Sequence, residues 1–246
     1  MNDRITIIPA FDPLERESCI EQKFVFNAAK KDVLLDWLEF HFERDSSFYF
    51  GPIVTLYYDT PSLSLYGQVR NGDYLKTKVR LRWYQKHFPP EQRSVSCYME
   101  IKRKCGTRRY KQRQPQTLEP GCLTGDIFSQ PAILEAPYEL AELHVFARNV
   151  LVPILLVEYE RFRFIDPVSG SRISLDSRIT CSRANSAYLA DAPLAWATDV
   201  LEVKGDLDEL PDRLLPMSRC LKKKSISKYA SCCTSLMSLA SSRRSA

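Results

Sequence analysis

The chain has 246 residues, 44% of them hydrophobic and 26% charged, with a formal net charge of +5. These are ordinary globular values with room for a real core, and they exclude a mainly disordered chain or a collagen-like repeat. The longest apolar run, Val150 to Val157, is broken by Pro153 and too short to span a bilayer, and the opening MNDRITIIPAFDPLER has no signal-peptide pattern. The expected compartment is the cytoplasm. The eight cysteines, at 19, 97, 105, 122, 181, 220, 232 and 233, form no CxxC pair, so they read as reduced residues rather than a zinc site.

The charge is unevenly spread. Residues 70–113 carry 14 Lys and Arg against 3 Asp and Glu, and the rest of the chain carries 21 against 27. Such asymmetry points to an anionic partner.

In chain order, residues 1–17 read as a lead-in and 18–26 as a strand by alternation. Asn27 is positioned to cap a helix over 28–43, with Val33, Leu34, Trp37, Leu38 and His41 on one face. GPIVTLYYDT is a strand, followed by a turn at Thr60–Pro61 and an extended or short helical piece. KTKVRLRWY, SCYMEIKRK and RRYKQRQ are three successive strands. Residues 132–148 are helical, ILLVEYERFRFID is a long strand, a turn follows at Pro167–Gly170, and SRISLDSRI and DVLEVKG are strands. Residues 211–239 are mostly helical, and the Ser-rich stretch over 233–246 is expected to fray. About eight consecutive strands with few helical crossovers favour an antiparallel sheet or a closed barrel.

Side chains two apart share a strand face. Lys76, Lys78, Arg80, Arg82 and Tyr84 therefore lie on one face, against Thr77, Val79, Leu81 and Trp83 on the other. Tyr98, Glu100, Lys102 and Lys104 repeat the pattern, as do Arg109, Lys111 and Arg113, then Tyr159, Arg161 and Arg163. Arg172, Ser174 and Asp176 share a face, as do Glu202 with Lys204 and Glu21 with Lys23. A solvated outer face normally mixes its signs. Two like charges about 4 Å apart repel by about 1 kcal/mol in water and about 4 at an effective dielectric of 20. Rows of cations on adjacent strands therefore call for a polyanion, and the few acids suit a hard divalent cation.

These residues resemble a known family. EQKF (21–24), TLYYDT (55–60), KVRLRWY (78–84), MEIKRK (99–104), YKQR (110–113), VEYERFRF (157–164), SRISLD (171–176), LEVKG (201–205) and SKY (227–229) match, in order, the VTC domain, the catalytic domain of the vacuolar transporter chaperone. That domain belongs to the triphosphate tunnel metalloenzyme superfamily. The resemblance implies an α+β fold, an eight-stranded antiparallel β-barrel enclosing a triphosphate tunnel with flanking helices, over residues 18–232. It implies a polyphosphate polymerase that moves the terminal phosphate of ATP onto a growing chain with Mn²⁺ or Mg²⁺.

Carried over by motif, Lys23, Arg80, Arg82, Lys102, Lys111, Arg161, Arg172 and Lys228 are the expected phosphate ligands of catalysis, with Arg163, Lys204 and Lys78 as further candidates. Glu202 is the expected metal ligand, helped by Glu21 and Glu100. Tyr159 and Tyr229 are expected to position the chain. Cys19 stands where the wider superfamily has the first Glu of an ExExK strand, which leaves fewer carboxylates. A helical inositol-phosphate sensing domain like that of the eukaryotic polymerases is not expected within these 246 residues, and a membrane-protein partner is implied by family analogy.

Two enzyme readings stay open, a polyphosphate polymerase and a triphosphate or nucleoside triphosphate hydrolase, together with a non-catalytic polyphosphate-binding module. Nucleic-acid binding is the weakest reading, since regular alternation suits a tunnel better than a base-reading element. The run Lys222–Lys224 is expected to be a solvated face.

Overall fold

The structure, a computed structural model, describes residues 20–106, 108–139, 150–206 and 209–244. Cys19, the lead-in and the second half of the helix expected over 132–148 lie outside those residues. The long strands come in the expected order: β1 (Ile20–Asn27), β3 (Phe50–Asp59), β4 (Leu75–Trp83), β5 (Val95–Cys105), β6 (Arg108–Leu118), β7 (Val152–Ile165), β8 (Arg172–Ala184) and β10 (Thr198–Gly205). Three two-residue strands, β2 (Glu43–Arg44), β9 (Leu194–Ala195) and β11 (Lys222–Lys223), complete an antiparallel sheet of order β11-β1-β10-β8-β7-β3-β4-β5-β6.

The helices start and stop for local reasons. Asn27 Oδ1 accepts the Ala29 N–H at 2.9 Å, capping a 3-10 turn that leads into α1 (Lys31–His41). The helix stops short of the expected Glu43 because Phe42 is extended and Glu43–Arg44 pair with β7. The turn after β3 depends on Asp59. Its buried carboxylate accepts the N–H groups of Thr60, Leu65 and Tyr66 at 2.7, 2.8 and 2.7 Å, which caps α2 (Ser64–Arg70). It also accepts the Tyr229 hydroxyl at 2.6 Å, so one carboxylate ties α2 to the C-terminal helix α3 (Lys228–Arg244). That helix runs well into the Ser-rich stretch. Gly106 follows β5 with φ +60°, a conformation that favours glycine.

The apolar strand faces turn outward. Val79, Leu81, Cys97, Met99 and Ile101 pack with Ile127 and Ile133. Ile154, Leu155 and Ile179 pack with Tyr229, Cys232, Cys233 and Leu236 of α3. Phe24, Phe26, Leu201 and Val203 pack with Leu34 and Leu38 of α1. The core therefore lies between the sheet and its covering elements, and the inner face is left to the charged residues. No helix among the described residues is long and apolar enough to cross a membrane.

The expected closed barrel is corrected in one respect. The hydrogen-bonded path starts at β11 and ends at β6, with no ladder between β6 and β1 among the described residues. The free edge of β1 is already taken in part by β11, where Lys223 and Lys222 pair with Phe24 and Val25. The sheet still curls far enough for Arg109 of β6 to reach Glu21 of β1 at 3.4 Å. Side chains, not a backbone ladder, bridge the two ends.

Candidate functional site

Register builds the inner wall. Across β4, β5 and β6, Lys76 stands beside Lys104 and Arg109, Lys78 beside Lys102 and Lys111, and Arg80 beside Glu100 and Arg113. Across β1 and β10, Glu21 opposes Lys204 and Lys23 opposes Glu202. Across β7 and β8, Arg161 opposes Asp176. All of these residues except Glu100, Arg113 and Asp176 line a cavity of about 510 Å³.

The two sides of the cavity differ in how their charges are balanced. On the β1–β10 side, Lys23 lies 2.7 Å from Glu21 and 3.6 Å from Glu202, and Lys204 lies 3.2 Å from Glu202 and 3.7 Å from Glu21. Burial opposes charge on Lys23, yet Glu202 and Glu21 outweigh it and hold the ammonium above the usual lysine range. Burial likewise opposes charge on Glu202, and Lys23 and Lys204 outweigh it, so its carboxyl is held well below the usual range.

Asp176, 0% exposed, is bound by the Arg161 guanidinium at 2.5 and 2.7 Å and by Lys228 Nζ at 2.5 Å. Lys228 also lies 4.6 Å from the Tyr159 ring centre. The Tyr159 hydroxyl accepts from Arg82 at 3.1 Å.

On the β4–β5 side the balance fails. Lys78 and Lys102 make no ion pair among the described residues. Burial, then the charges of Lys23 and Arg80, push the Lys78 ammonium down to about 7. Burial, then Arg80 and Lys204, push Lys102 well below the usual range. The site holds two adjacent cation positions that lack an anion.

Most expected residues converge. Lys23, Lys78, Arg80, Arg82, Lys102, Lys111, Tyr159, Arg161, Lys204, Lys228, Glu21 and Glu202 all line the cavity. Four are placed elsewhere. Arg172 is exposed at the end of its row beside Lys204. Arg163 donates to the Phe48 carbonyl at 2.9 Å, outside the cavity. Tyr229 is 2% exposed, stacked on Tyr57 at 5.1 Å and bonded to Asp59, where it anchors α3. Glu100 is 1% exposed behind the wall, at 2.5 Å from Arg80, with Arg113, Lys111 and Arg82 at 3.6, 3.7 and 3.9 Å. It acts as a counter-ion for these cations and does not join Glu21 and Glu202.

The lining extends beyond the expected ligands. Lys76, Lys104 and Arg109 continue the rows, as strand alternation already indicates. Lys223 and Lys224 also line the cavity, and the Lys224 N–H donates to the Lys23 carbonyl at 2.9 Å. The run Lys222–Lys224 is exposed, as the solvated-face reading expects, and pairing of β11 with β1 also sets Lys223 and Lys224 at the cavity.

Among the described residues, no group of three or more His, Cys, Asp or Glu converges as a metal cage. Glu21 and Glu202 both line the cavity, each within 4 Å of Lys23 and Lys204, and two carboxylates completed by substrate phosphates are the donor set that Mg²⁺ takes.

Comparison with known proteins gives one family, the VTC domain, whose model matches residues 18–237. No curated protein matches. Among solved structures, a "putative adenylate cyclase" from Vibrio parahaemolyticus is 14% identical, with 84% of this chain and 94% of that chain covered and a TM-score of 0.45. A second protein of the same description, from Bacillus halodurans, is 14% identical over 77% of this chain and 81% of its own, with a TM-score of 0.46.

Proposed function

The chain belongs to the VTC domain family, and from that premise we propose that its cavity takes the phosphates of a nucleoside triphosphate and passes the terminal phosphoryl group to the end of a polyphosphate chain. The observation that carries this reading is the unbalanced pair Lys78 and Lys102, flanked by Arg80, Lys111 and Lys76. A polyphosphate supplies the missing negative charge as a linear array of oxygens.

In the transfer, a terminal oxygen of the acceptor chain attacks the γ-phosphorus, the bond to the β-phosphate bridging oxygen breaks, and the nucleoside diphosphate leaves. Arg80, Arg82, Lys102, Lys111, Arg161 and Lys228 spread over the non-bridging oxygens and hold donor and acceptor in line. Tyr159 fixes the Arg82 guanidinium by accepting its hydrogen bond. Glu21 and Glu202 would hold a divalent cation, which supplies charge neutralisation at the phosphates.

The test is to incubate the protein with ATP and Mn²⁺ and resolve the products by gel and phosphorus NMR. Chains formed with stoichiometric ADP support the reading. Free phosphate as the sole phosphate product overturns polymerisation in favour of hydrolysis, and absence of turnover with tight polyphosphate binding overturns catalysis.

Affinity should also depend on pH. With its ammonium pushed down to about 7, Lys78 is charged in the free protein below that pH and neutral above it. Bound phosphates restore the charged form, so binding takes up a proton above pH 7. Affinity for tripolyphosphate is expected to fall by up to about tenfold per pH unit from this group. Titration calorimetry across pH, with Lys78→Arg as the control for the ligand's own ionisation, checks it. An identical pH slope in both proteins would show that Lys78 does not titrate on binding.

A further inference from the structure

One end of the cationic wall carries an aromatic cluster that phosphate binding does not use. Tyr98 stands directly opposite Arg82 in the β4–β5 ladder, and Arg113 directly opposite Glu100, the partner of Arg80. Tyr84 lies two residues beyond Arg82, about 7 Å further along an extended chain. The Arg113 guanidinium sits 3.6 Å from the Tyr98 ring centre, and its Nη2 donates to the Tyr84 hydroxyl at 3.0 Å. The two tyrosine rings meet edge to face at 5.9 Å. Glu100 holds the other side of Arg113 at 3.6 Å.

The cluster is thus braced on the same carboxylate that positions Arg80. Tyr84 is nevertheless 39% exposed. Strand alternation puts Tyr84 on the charged side, opposite in direction to the neighbouring Trp83, which is 2% exposed in the core. There the Tyr84 hydroxyl lies next to the Arg113 guanidinium. Aromatic rings and arginine planes at the end of a phosphate track are the groups on which nucleobases stack.

We propose that Tyr84, Tyr98 and Arg113 form a stacking platform for the nucleobase of a nucleoside triphosphate whose phosphates enter the cavity at Arg82. This rests on the phosphate-binding reading above and adds to it where the donor's base lies, and hence which end of the wall receives the donor. Stacking against a single exposed ring favours the larger purines over pyrimidines.

The experiment measures the affinities of ATP, UTP and inorganic tripolyphosphate by titration calorimetry for the unmodified protein, Tyr84→Leu and Tyr84→Phe. Tyr84→Leu is expected to weaken ATP about tenfold, to remove any preference for ATP over UTP, and to leave tripolyphosphate within about twofold. Tyr84→Phe keeps the ring and is expected to keep ATP affinity. Unchanged ATP affinity in Tyr84→Leu, or equal weakening of ATP and tripolyphosphate, overturns the platform and leaves the phosphate site standing. Failure of the unmodified protein to bind tripolyphosphate overturns both.

Discussion

Replacing Arg80 with alanine is expected to damage folding and ligand binding together, and Arg80→Lys, which keeps a cation beside Glu100, is expected to restore mainly the first. Glu100 is 1% exposed and receives two hydrogen bonds from Arg80, at 2.7 and 2.5 Å. Burial opposes its charge, and Arg80, Arg82 and Lys111 overcome that and hold the carboxyl far below its usual range. Removing one partner of a buried ion pair costs about 3–5 kcal/mol. The remaining cations around Glu100 place this case near the low end, about 3 kcal/mol. At about 2–4 °C per kcal/mol for a chain of this size, Tm falls by about 6–12 °C.

Tripolyphosphate affinity falls about 10- to 100-fold in the same variant, the loss of a charge-assisted hydrogen bond. Arg80→Lys keeps a cation beside Glu100 and loses the two-pronged guanidinium, so Tm recovers in large part while affinity stays below that of the unmodified protein. Thermal denaturation and calorimetry on the two variants read both effects. Unchanged tripolyphosphate affinity in Arg80→Ala would remove Arg80 from the phosphate site, and an Arg80→Lys variant as unstable as Arg80→Ala would show that the lost charge was not the cause of the instability.

Asp176→Ala is expected to separate binding from turnover. Asp176 is fully buried and holds Arg161 and Lys228 at 2.5 Å each. Its loss leaves two cations without their anion and costs about 3–5 kcal/mol, a fall in Tm of about 6–20 °C. Arg161 and Lys228 outweigh the burial that opposes its charge, and its carboxyl is held below the usual range. That stabilisation is therefore present above the unfolded carboxylate value of about 3.9 and is lost as pH falls through the lower folded value.

The helix α3 keeps its other attachments, the Tyr229 bond to Asp59 and the packing of Cys232, Cys233 and Leu236. The variant wall carries one more net positive charge, so tripolyphosphate is expected to bind at least as tightly as before. Turnover is expected to fall about 100-fold, because Arg161 and Lys228 are no longer aimed. Calorimetry and steady-state rates on the folded variant decide it. A parallel loss of affinity and turnover would mean that Asp176 acts only through folding.

The two acids buried behind or beside the wall show where sequence reading stops. Alternation is local, so the shared faces of Lys76 to Arg82, of Glu100 to Lys104 and of Arg109 to Arg113 follow from spacing, and the structure keeps them. What lies across from each residue is set by strand register, which spacing does not encode. The family motif groups Glu100 with Glu21 and Glu202 as expected metal ligands. Register places it between Arg80 and Arg113 instead, where four cations surround it.

Tyr229 illustrates a second limit. Neighbours on a helix point about 100° apart, so Lys228 and Tyr229 do not share a direction. Lys228 faces Asp176 and the cavity, and Tyr229 turns to Asp59 and the core. Helical period alone argues against placing both in the cavity, though not for which of them enters it.

The sequence by itself determined the strands, their two-faced character and the concentration of positive charge on the inner faces, because these follow from residue type and from periods of two and 3.6. It also carried the family, through short motifs in a fixed order. Only the tertiary structure decided which cations lack a counter-ion, which acids serve as counter-ions, that β11 brings Lys223 to the cavity, and that side chains bridge β6 to β1 in place of a ladder. Each of those depends on contacts between residues distant in the chain, and electrostatic balance is a property of such contacts rather than of composition.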